Sequence, residues 1–423
     1  MRLLRFSIWV ACLVAGAAAQ DVVKPKDVRE IAKAGSSAIP RLQELLKNSD
    51  RDIRAEAVKQ ITEIGPPRSL DPLVEATRDN DPGIQILATD GLVNFYMPGY
   101  VKTGIGGSIS RVGGSIKGKF TDTNDQVIDP FITVRPDVVE ALGKLVRGGA
   151  SMDARSNAAR AVGILRGKGA EADLVDATHS KNSQLIYESL IALQKIRDES
   201  MGPQVSFLIR DLDPKVQVAA IETMGLLRNK EAVGGLTDVL NRTKDAKVRR
   251  AALTAIAMLP DEKSRPIYTQ YLNDKDDRMR AAAAEGFARL RNPGDVATVE
   301  QAWKDEVKPQ PRLSLAFALV MLGKTELSEF SPLQFLINQL NSAAYNGEAY
   351  PFLVELAREN TVRQSLYAPM ASGTKDEKIG LARVLARSGD QSSIAPLQKL
   401  SNDPDQQVAQ AALTAVRNLQ ARM

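Results

Sequence analysis

A short motif recurs along this chain at a nearly constant interval, and it constrains the fold more than any other feature. Each copy has an acidic residue, then an aliphatic residue, often followed by Arg or Gln, and then alanines at helical spacing. A regular interval of this kind indicates a repeat array. Five consecutive copies, whose interval varies by a single position, place the aliphatic position at Ala154, Leu185, Val216, Val248 and Met279.

Each interval also holds an earlier apolar segment, such as PRLQELL at 40–46 or APLQKL at 395–400. One unit is therefore two short amphipathic helices joined by a tight turn, in which Asp caps the second helix and Pro suits its first turn. A single pair cannot bury its apolar faces, so the units must stack. We predict an all-α, right-handed α-solenoid of about eleven two-helix repeats, in segments 20–96 and 136–423.

The D-x-x-V-R-x-x-A pattern of these copies resembles the HEAT repeat family, in its short bacterial, phycobilisome-lyase-like form. The resemblance covers nearly the whole chain after the first residues, and it implies a fold rather than an activity. It also implies a structural ladder, in which the arginine of the pattern pairs with turn acids of a neighbouring unit. The arginines at this position are Arg54, Arg155, Arg249 and Arg280.

Two enzyme types are related to this family, and the sequence favours neither of them. Bilin lyases attach a chromophore to a partner's cysteine, and an exported chain would lack that substrate. The related hydroxylases hold a di-iron centre with several His-Glu pairs, whereas this chain has one histidine, His179, and no such pair. We therefore expect no catalytic residues, no metal and no cofactor, and we expect His179 to face solvent near a helix end.

The first residues have the form of an export signal. Arg2 and Arg5 precede an apolar run at 6–15, and small residues at 17–19 suit cleavage. The run is too short to cross a membrane as a helix. We expect residues 1–19 to be removed and the mature chain to be periplasmic or extracellular. Because the single cysteine, Cys12, lies in this segment, the mature chain would have no disulfide or thiol site.

The charge balance bears on the choice of partner. The formal net charge is +5, and it falls to about +3 when Arg2 and Arg5 are removed. Such a small excess on a long chain of mixed charge is typical of a solvated surface. We expect protein partners and no nucleic acid.

One glycine-rich, basic insertion interrupts the repeats. The copies at Ile84 and Ala154 are separated by one period and a long excess, residues 97–135. This excess contains VKTGIGGSISRVGGSIKGKF at 101–120, and it lies either between paired helices or at the joint to the next pair. Its G-x-x-x-x-G-K is followed by Phe120 rather than Ser or Thr, and DTNDQVID at 122–129 lacks a calcium loop's later ligands.

Three conformations remain open for 101–120: a helix, an irregular loop, or a hairpin turning at Gly113-Gly114 that pairs Arg111 with Ile116 and Ile109 with Gly118. Six glycines oppose the helix, at about 1 kcal/mol each. The segment either folds back over the solenoid or is a contact arm for a partner or an anionic membrane. The candidate contact residues are Ile105, Ile109, Arg111, Val112, Ile116, Lys117, Lys119 and Phe120.

The sequence as a whole indicates a scaffold rather than an enzyme. We expect the concave solenoid surface, lined by the second helix of each unit, to bind protein partners. One alternative is a peripheral membrane or envelope adaptor that uses the glycine-rich insertion. The other is an enzyme whose site is built across several repeats, for which the sequence offers no motif.

Overall fold

The computed structural model describes residues 23–103, 109–111, 126–129 and 131–423. Within these residues the chain forms 24 α-helices, eight short 3₁₀ helices and two strands. The α-helices are α1 (Pro25–Ala32), α2 (Ile39–Leu45), α3 (Arg51–Ile64), α4 (Leu70–Ala76), α5 (Pro82–Tyr96), α6 (Pro136–Gly148), α7 (Met152–Ile164), α8 (Glu171–Ala177), α9 (Ser183–Ile196), α10 (Gly202–Val205), α11 (Pro214–Leu226), α12 (Val233–Arg242), α13 (Ala246–Ala257), α14 (Arg265–Tyr271), α15 (Asp277–Leu290), α16 (Val296–Asp305), α17 (Pro309–Met321), α18 (Pro332–Asn338), α19 (Asn346–Leu356), α20 (Asn360–Ser365), α21 (Tyr367–Ser372), α22 (Lys375–Ser388), α23 (Gln391–Leu400) and α24 (Gln406–Gln420).

The shorter elements extend or connect these helices. The strands are β1 (Val101–Thr103) and β2 (Ile109–Arg111). The 3₁₀ helices are Gly35–Ala38, Lys168–Ala170, Glu199–Met201, Ser206–Arg210, Lys230–Ala232, Glu262–Ser264, Pro293–Asp295 and Gln339–Asn341.

The helices form two stacked layers, as the repeat pattern predicts. The inner layer consists of the second helices, α3, α5, α7, α9, α11, α13, α15, α17, α19, α22 and α24, each packed against the next. Of the remaining helices, α1 packs on α3 in the position of a preceding second helix, and α20 and α21 together precede α22. One helix precedes each of the other second helices, which gives eleven pairs. Because every unit buries its apolar side on its neighbours, one continuous hydrophobic core runs from Val28 to Leu419. The described chain is an α-solenoid.

The turn between paired helices begins most second helices with an aspartate cap. The side chain of Asp81, for example, accepts the backbone N–H of Ile84, and Pro82 occupies the first turn of α5. Asp213 and Asp405 cap α11 and α24 in the same way. These caps satisfy N–H groups that have no partner within the helix, so the turn residues determine where each second helix starts.

Small residues let the inner-layer helices approach closely. A Cβ at Gly163 in α7 would lie 2.8 Å from the Cα of Ala192 in α9. A Cβ at Gly225 in α11 would lie 3.1 Å from the Cα of Ala255 in α13. Larger residues at these positions would separate successive second helices, so glycine and alanine here set the spacing of the inner layer.

The insertion lies at the joint between two pairs and not within one. Helix α5 ends at Tyr96 and α6 begins at Pro136, so residues 97–135 connect the second pair to the third. Its two ends pack on the solenoid: Val101 and Ile128 are buried, and the N–H of Ile128 donates to the carbonyl of Ile164 at 3.0 Å. Both ends of the insertion are therefore part of the packed structure.

The described part of the insertion contains a strand pairing that the sequence did not predict. Strands β1 and β2 are antiparallel and pair Val101 with Arg111 and Thr103 with Ile109. Val101 is buried, and its N–H donates to the Asn94 side chain at 3.1 Å. These contacts hold β1 at the base of the insertion, where β2 pairs with it. The partners predicted for Arg111 and Ile109, at positions 116 and 118, lie outside the described residues, so that pairing stays a prediction.

Candidate functional site

Polar and charged side chains cross the contacts between successive inner-layer helices. Asn157 in α7 donates to Asp90 in α5 at 3.0 Å. Arg160 in α7 forms a mostly buried ion pair with Glu188 in α9. These groups face one another between helices whose other contacts are apolar, so they fix the relative positions of neighbouring units.

The strongest of these contacts joins α15 to α19. Arg289 lies 3.1 Å from Glu285 and binds both oxygens of Glu355, at 2.9 and 2.8 Å. Its guanidinium carbon also lies 5.2 Å from the ring centre of Phe317, which stacks on Phe352 at 4.6 Å. Burial disfavours the charge of Arg289, but the two carboxylates outweigh that effect and raise its pKa. Burial also disfavours the charge of Glu285, and it therefore raises the pKa of that carboxyl group.

Two of the four predicted ladder arginines meet turn acids of the next unit. Arg54 donates to both oxygens of Asp79, at 2.7 and 3.1 Å. Arg280 does the same with Glu306, at 2.7 and 3.2 Å. Each arginine also donates to a backbone carbonyl of its own turn, so it ties the start of one second helix to the next unit.

The other two arginines behave differently from the prediction. Arg155 donates instead to the carbonyl of Val146, at 2.8 Å, because Ser180 occupies the place in the following turn that Asp79 occupies after Arg54. Arg249 makes no side-chain hydrogen bond or ion pair within the described residues. The next residue, Arg250, makes the ion pair, with Asp276 at 2.7 Å.

The sequence reasoning missed a set of bridges that recurs at both ends of the array. In each case two basic residues in the first turn of a second helix pair with two aspartates of the following turn. The bridges are Arg51–Asp81 at 3.3 Å and Arg54–Asp79 at 2.7 Å near the start, and Lys375–Asp405 at 2.8 Å and Lys378–Asp403 at 2.9 Å near the end. The available signal was a pair of basic residues three positions apart, with two aspartates at matching places in the following turn.

The candidate contact residues of the insertion are only partly described. Ile109 and Arg111 lie in β2. Ile105, Val112, Ile116, Lys117, Lys119 and Phe120 lie outside the described residues. His179 is exposed just beyond α8 and stacks on Phe207 with ring centres 4.7 Å apart.

Arginines recur at the C-terminal ends of the inner-layer helices. Among the described residues, the non-glycine residues with positive φ are Arg166, Arg197, Arg228 and Arg291, at 49°, 67°, 52° and 54°. Glycine is the usual residue in this left-handed position because it has no side chain to clash. The negative end of the helix dipole stabilises the charge of an arginine at this position, but the left-handed conformation strains the arginine's backbone.

These arginines differ in whether an acid compensates them. Arg228 lies 3.5 Å from Glu199, and Arg291 lies 2.8 Å from Glu359. Arg166 and Arg197 form no ion pair in the described part of the chain, and the Nε of Arg166 is buried without a hydrogen-bond partner there. The sequence carries a signal for these positions, because Arg166, Arg197 and Arg228 are equally spaced, one repeat apart.

The curvature of the solenoid brings late repeats to Arg166 and Arg197. Burial lowers the pKa of Arg197, and the charges of Arg387, Arg166 and Arg358 lower it further. Burial also lowers the pKa of Arg422, as do the charges of Arg358 and Arg387. We call these five residues the arginine cluster; they come from the ends of the third, fourth, ninth, tenth and eleventh pairs.

A cavity of about 560 Å³ lies at one side of this cluster. Arg166 and Lys168 line it from the third pair and the connection that follows it, and Arg422 lines it from the C-terminus. Asp129 and Glu140 supply acids to the same wall, and Asp129 partly offsets the repulsion on Arg166. The packed base of the insertion and the end of the chain thus meet at the arginine cluster.

Neither a metal site nor a membrane-spanning helix is found among the residues that the structure describes. No group of three or more His, Cys, Asp or Glu side chains there could hold a metal ion. No helix in the same part of the chain is long and apolar enough to span a membrane.

The stacked pairs define the class of protein as an α-solenoid, and comparison with known families gives the particular repeat. The family model described as HEAT repeats matches residues 15–93, 203–267 and 235–320. The chain therefore contains HEAT repeats, and the match confirms the resemblance of its motif. No curated protein matches the sequence.

Solved structures resemble the fold at low identity. They include an engineered protein (18% identity, TM-score 0.40, 90% of this chain and 98% of that one). They also include the CpcE–CpcF complex of phycocyanin lyase from Nostoc sp. PCC7120 (14%, 0.37, 63% and 91%) and human deoxyhypusine hydroxylase in complex with glycerol (20%, 0.28, 67% and 96%).

Proposed function

We propose that this HEAT-repeat protein is an exported, non-catalytic scaffold that binds protein partners through its inner layer. The observation that carries the proposal is that early and late units converge: Arg166, after the third pair, and Arg422, after the eleventh, line one cavity. A surface built from stacked units offers a partner contacts from many of them at once. The form of residues 1–19 supports the proposal of export.

An open depression of about 560 Å³ lies between α22 and α24. Polar side chains such as Gln410 and Thr414 line it together with Ile379 and several alanines, and its exposed lining is mostly apolar. An open, mixed surface over a rigid helical framework suits a protein partner better than a buried small molecule.

Site-specific photo-crosslinking tests the scaffold proposal. A photoreactive amino acid replaces Gln410 on the inner layer or, as a matched control, Gln398 on the outer helix α23; both side chains are exposed. We expect the Gln410 position to crosslink specific proteins of the cell envelope and the Gln398 position to crosslink few. Equal crosslinking at both positions, or none at Gln410 and at further inner-layer positions, would contradict the proposal.

A second candidate function is peripheral membrane attachment through the insertion. The observation that favours it is that both ends of the insertion are anchored, with Val101 and Ile128 buried on the solenoid. An anchored, basic, glycine-rich segment could present its apolar residues to an anionic bilayer. Co-sedimentation of the mature chain with anionic vesicles, compared with a variant lacking residues 104–125, tests this function; equal sedimentation of both contradicts it.

A further inference from the structure

The arginine cluster carries more positive charge than nearby acids balance: Arg166 and Arg422 line one cavity, and Arg422 donates only to backbone carbonyls. Arg54, Arg280 and Arg289 all bind carboxylates that hold units together. Arg197, in contrast, is surrounded by the charges of other arginines, and it remains more than a third exposed to solvent. A structural role would place an acid beside it, as Glu199 lies beside Arg228.

Holding these arginines together costs the fold free energy in two ways. Like charges within the cluster repel, and this repulsion is reduced but not removed by solvent. Arg166 and Arg197 also occupy left-handed backbone positions that glycine would occupy without strain. A cost of this kind at an accessible, concave place is characteristic of a binding site, where a ligand supplies the missing counter-charge.

We propose that the arginine cluster binds an acidic segment of a partner protein, a run of Asp and Glu side chains that enters between the early and late repeats. This inference rests on the proposed scaffold function and specifies the chemistry of its partner. Guanidinium groups bind carboxylates through bidentate hydrogen bonds. Several arginines from early and late repeats therefore suit a flexible chain that bears several carboxylates.

The geometry favours a protein segment over other polyanions. A flat bilayer would not reach the Nε of Arg166, which is buried. A nucleic acid needs a continuous track of basic residues along its backbone, whereas this cluster is compact and the chain's excess charge is small.

The direct test is a titration of the mature chain into fluorescein-labelled deca-glutamate, followed by anisotropy at low salt. Deca-glutamine is the uncharged control peptide. We expect deca-glutamate to bind and deca-glutamine not to bind. Because hydrogen bonds between charged groups are stronger than neutral ones, the double variant R197Q/R387Q should lose at least roughly tenfold in affinity.

A matched variant separates the cluster from net charge. Arg242 is exposed at the end of the outer helix α12, far along the chain from the cluster residues. R197Q/R242Q changes the net charge as R197Q/R387Q does, and it should retain more of the affinity. Equal losses in the two double variants, or no loss in either, would overturn the assignment to the cluster.

Competing ligands decide the chemical class of the occupant. Inorganic phosphate, a single-stranded oligonucleotide and phosphatidylglycerol vesicles are each titrated against the peptide complex. Tighter binding of the oligonucleotide or the vesicles than of deca-glutamate overturns the proposal of a protein segment; displacement by phosphate only at high concentration supports it. If deca-glutamate fails to bind while Gln410 still crosslinks proteins, this inference is wrong and the scaffold function stands.

Discussion

Two groups of arginines in this protein have the same chemistry and opposite surroundings. Arg289, between α15 and α19, is 13% exposed and has two carboxylates, Glu285 and Glu355, within 3.1 Å. Arg197, at the end of α9, is more exposed and has other arginines as its strongest charged neighbours. The first arrangement stabilises the stack of units; the second raises its free energy. Compensation by acids therefore distinguishes arginines that hold the solenoid together from those available to a partner.

Removing the compensated arginine should have the largest effect on stability. R289M leaves Glu285 and Glu355 mostly buried without their cation, and breaking such a pair costs about 3–5 kcal/mol. We expect the low end of that range because Glu355 is 29% exposed. Urea denaturation measures the loss, and hydrogen exchange should place it in α15–α19. The matched change R387M in the cluster should cost far less; equal costs would contradict the comparison.

The ladder arginines should give a smaller loss. R280A removes two hydrogen bonds to Glu306, a carboxylate that keeps the N–H groups of Val307 and Lys308 as partners. We expect about 1–3 kcal/mol of lost unfolding free energy. R249A is the control at the equivalent position of the preceding unit, and it should change stability by no more than about 0.5 kcal/mol. A comparable loss in both variants would show that the geometry of the ladder does not matter.

Two glutamates should shift the pH dependence of stability in opposite directions. Burial opposes the charge of Glu306, but Arg280 and backbone N–H groups outweigh it and lower its pKa, so its contribution is present above about pH 4.3 and is lost in acid. Burial raises the pKa of Glu285, so its contribution is largest in acid and is lost as pH rises.

Urea denaturation between about pH 3.5 and 7 measures both effects. E306Q should weaken the loss of stability on acidification. E285Q should instead remove a penalty that grows towards neutral pH, while Arg289 keeps Glu355 as its partner. Parallel pH profiles for the two variants would show that the environments of Glu306 and Glu285 do not differ as the structure indicates.

The smallest effect is expected in the arginine cluster. R197Q removes repulsion from Arg166, Arg358 and Arg387, so the thermal midpoint should stay constant or rise slightly, most visibly at low salt. A clear fall in the midpoint would assign Arg197 to the structural group. R54A is the control, because Arg54 donates to both oxygens of Asp79 and its loss should lower the midpoint.

The sequence predicted the helix pairs, their number and the insertion between Tyr96 and Pro136, because these depend on local signals that repeat. It did not predict the pairing of β1 with β2, which depends on Val101 packing against the solenoid. It assigned the ladder of the sixth pair to Arg249, whereas Arg250 makes the bond. Side chains at neighbouring positions of a helix point in directions about 100° apart. A repeat motif whose arginine can shift by one position therefore does not determine which acid that arginine meets.

By itself, the sequence determined an array of helix pairs, because amphipathic spacing, aspartate caps and closely spaced small residues act within one unit or between adjacent ones. Only the tertiary structure decided which arginines face one another. Arg166 shares a cavity with Arg422, and Arg197 lies near Arg358 and Arg387, because small rotations between successive units accumulate along the stack until distant units converge. Such a sum over many packing contacts has no signature in any single repeat.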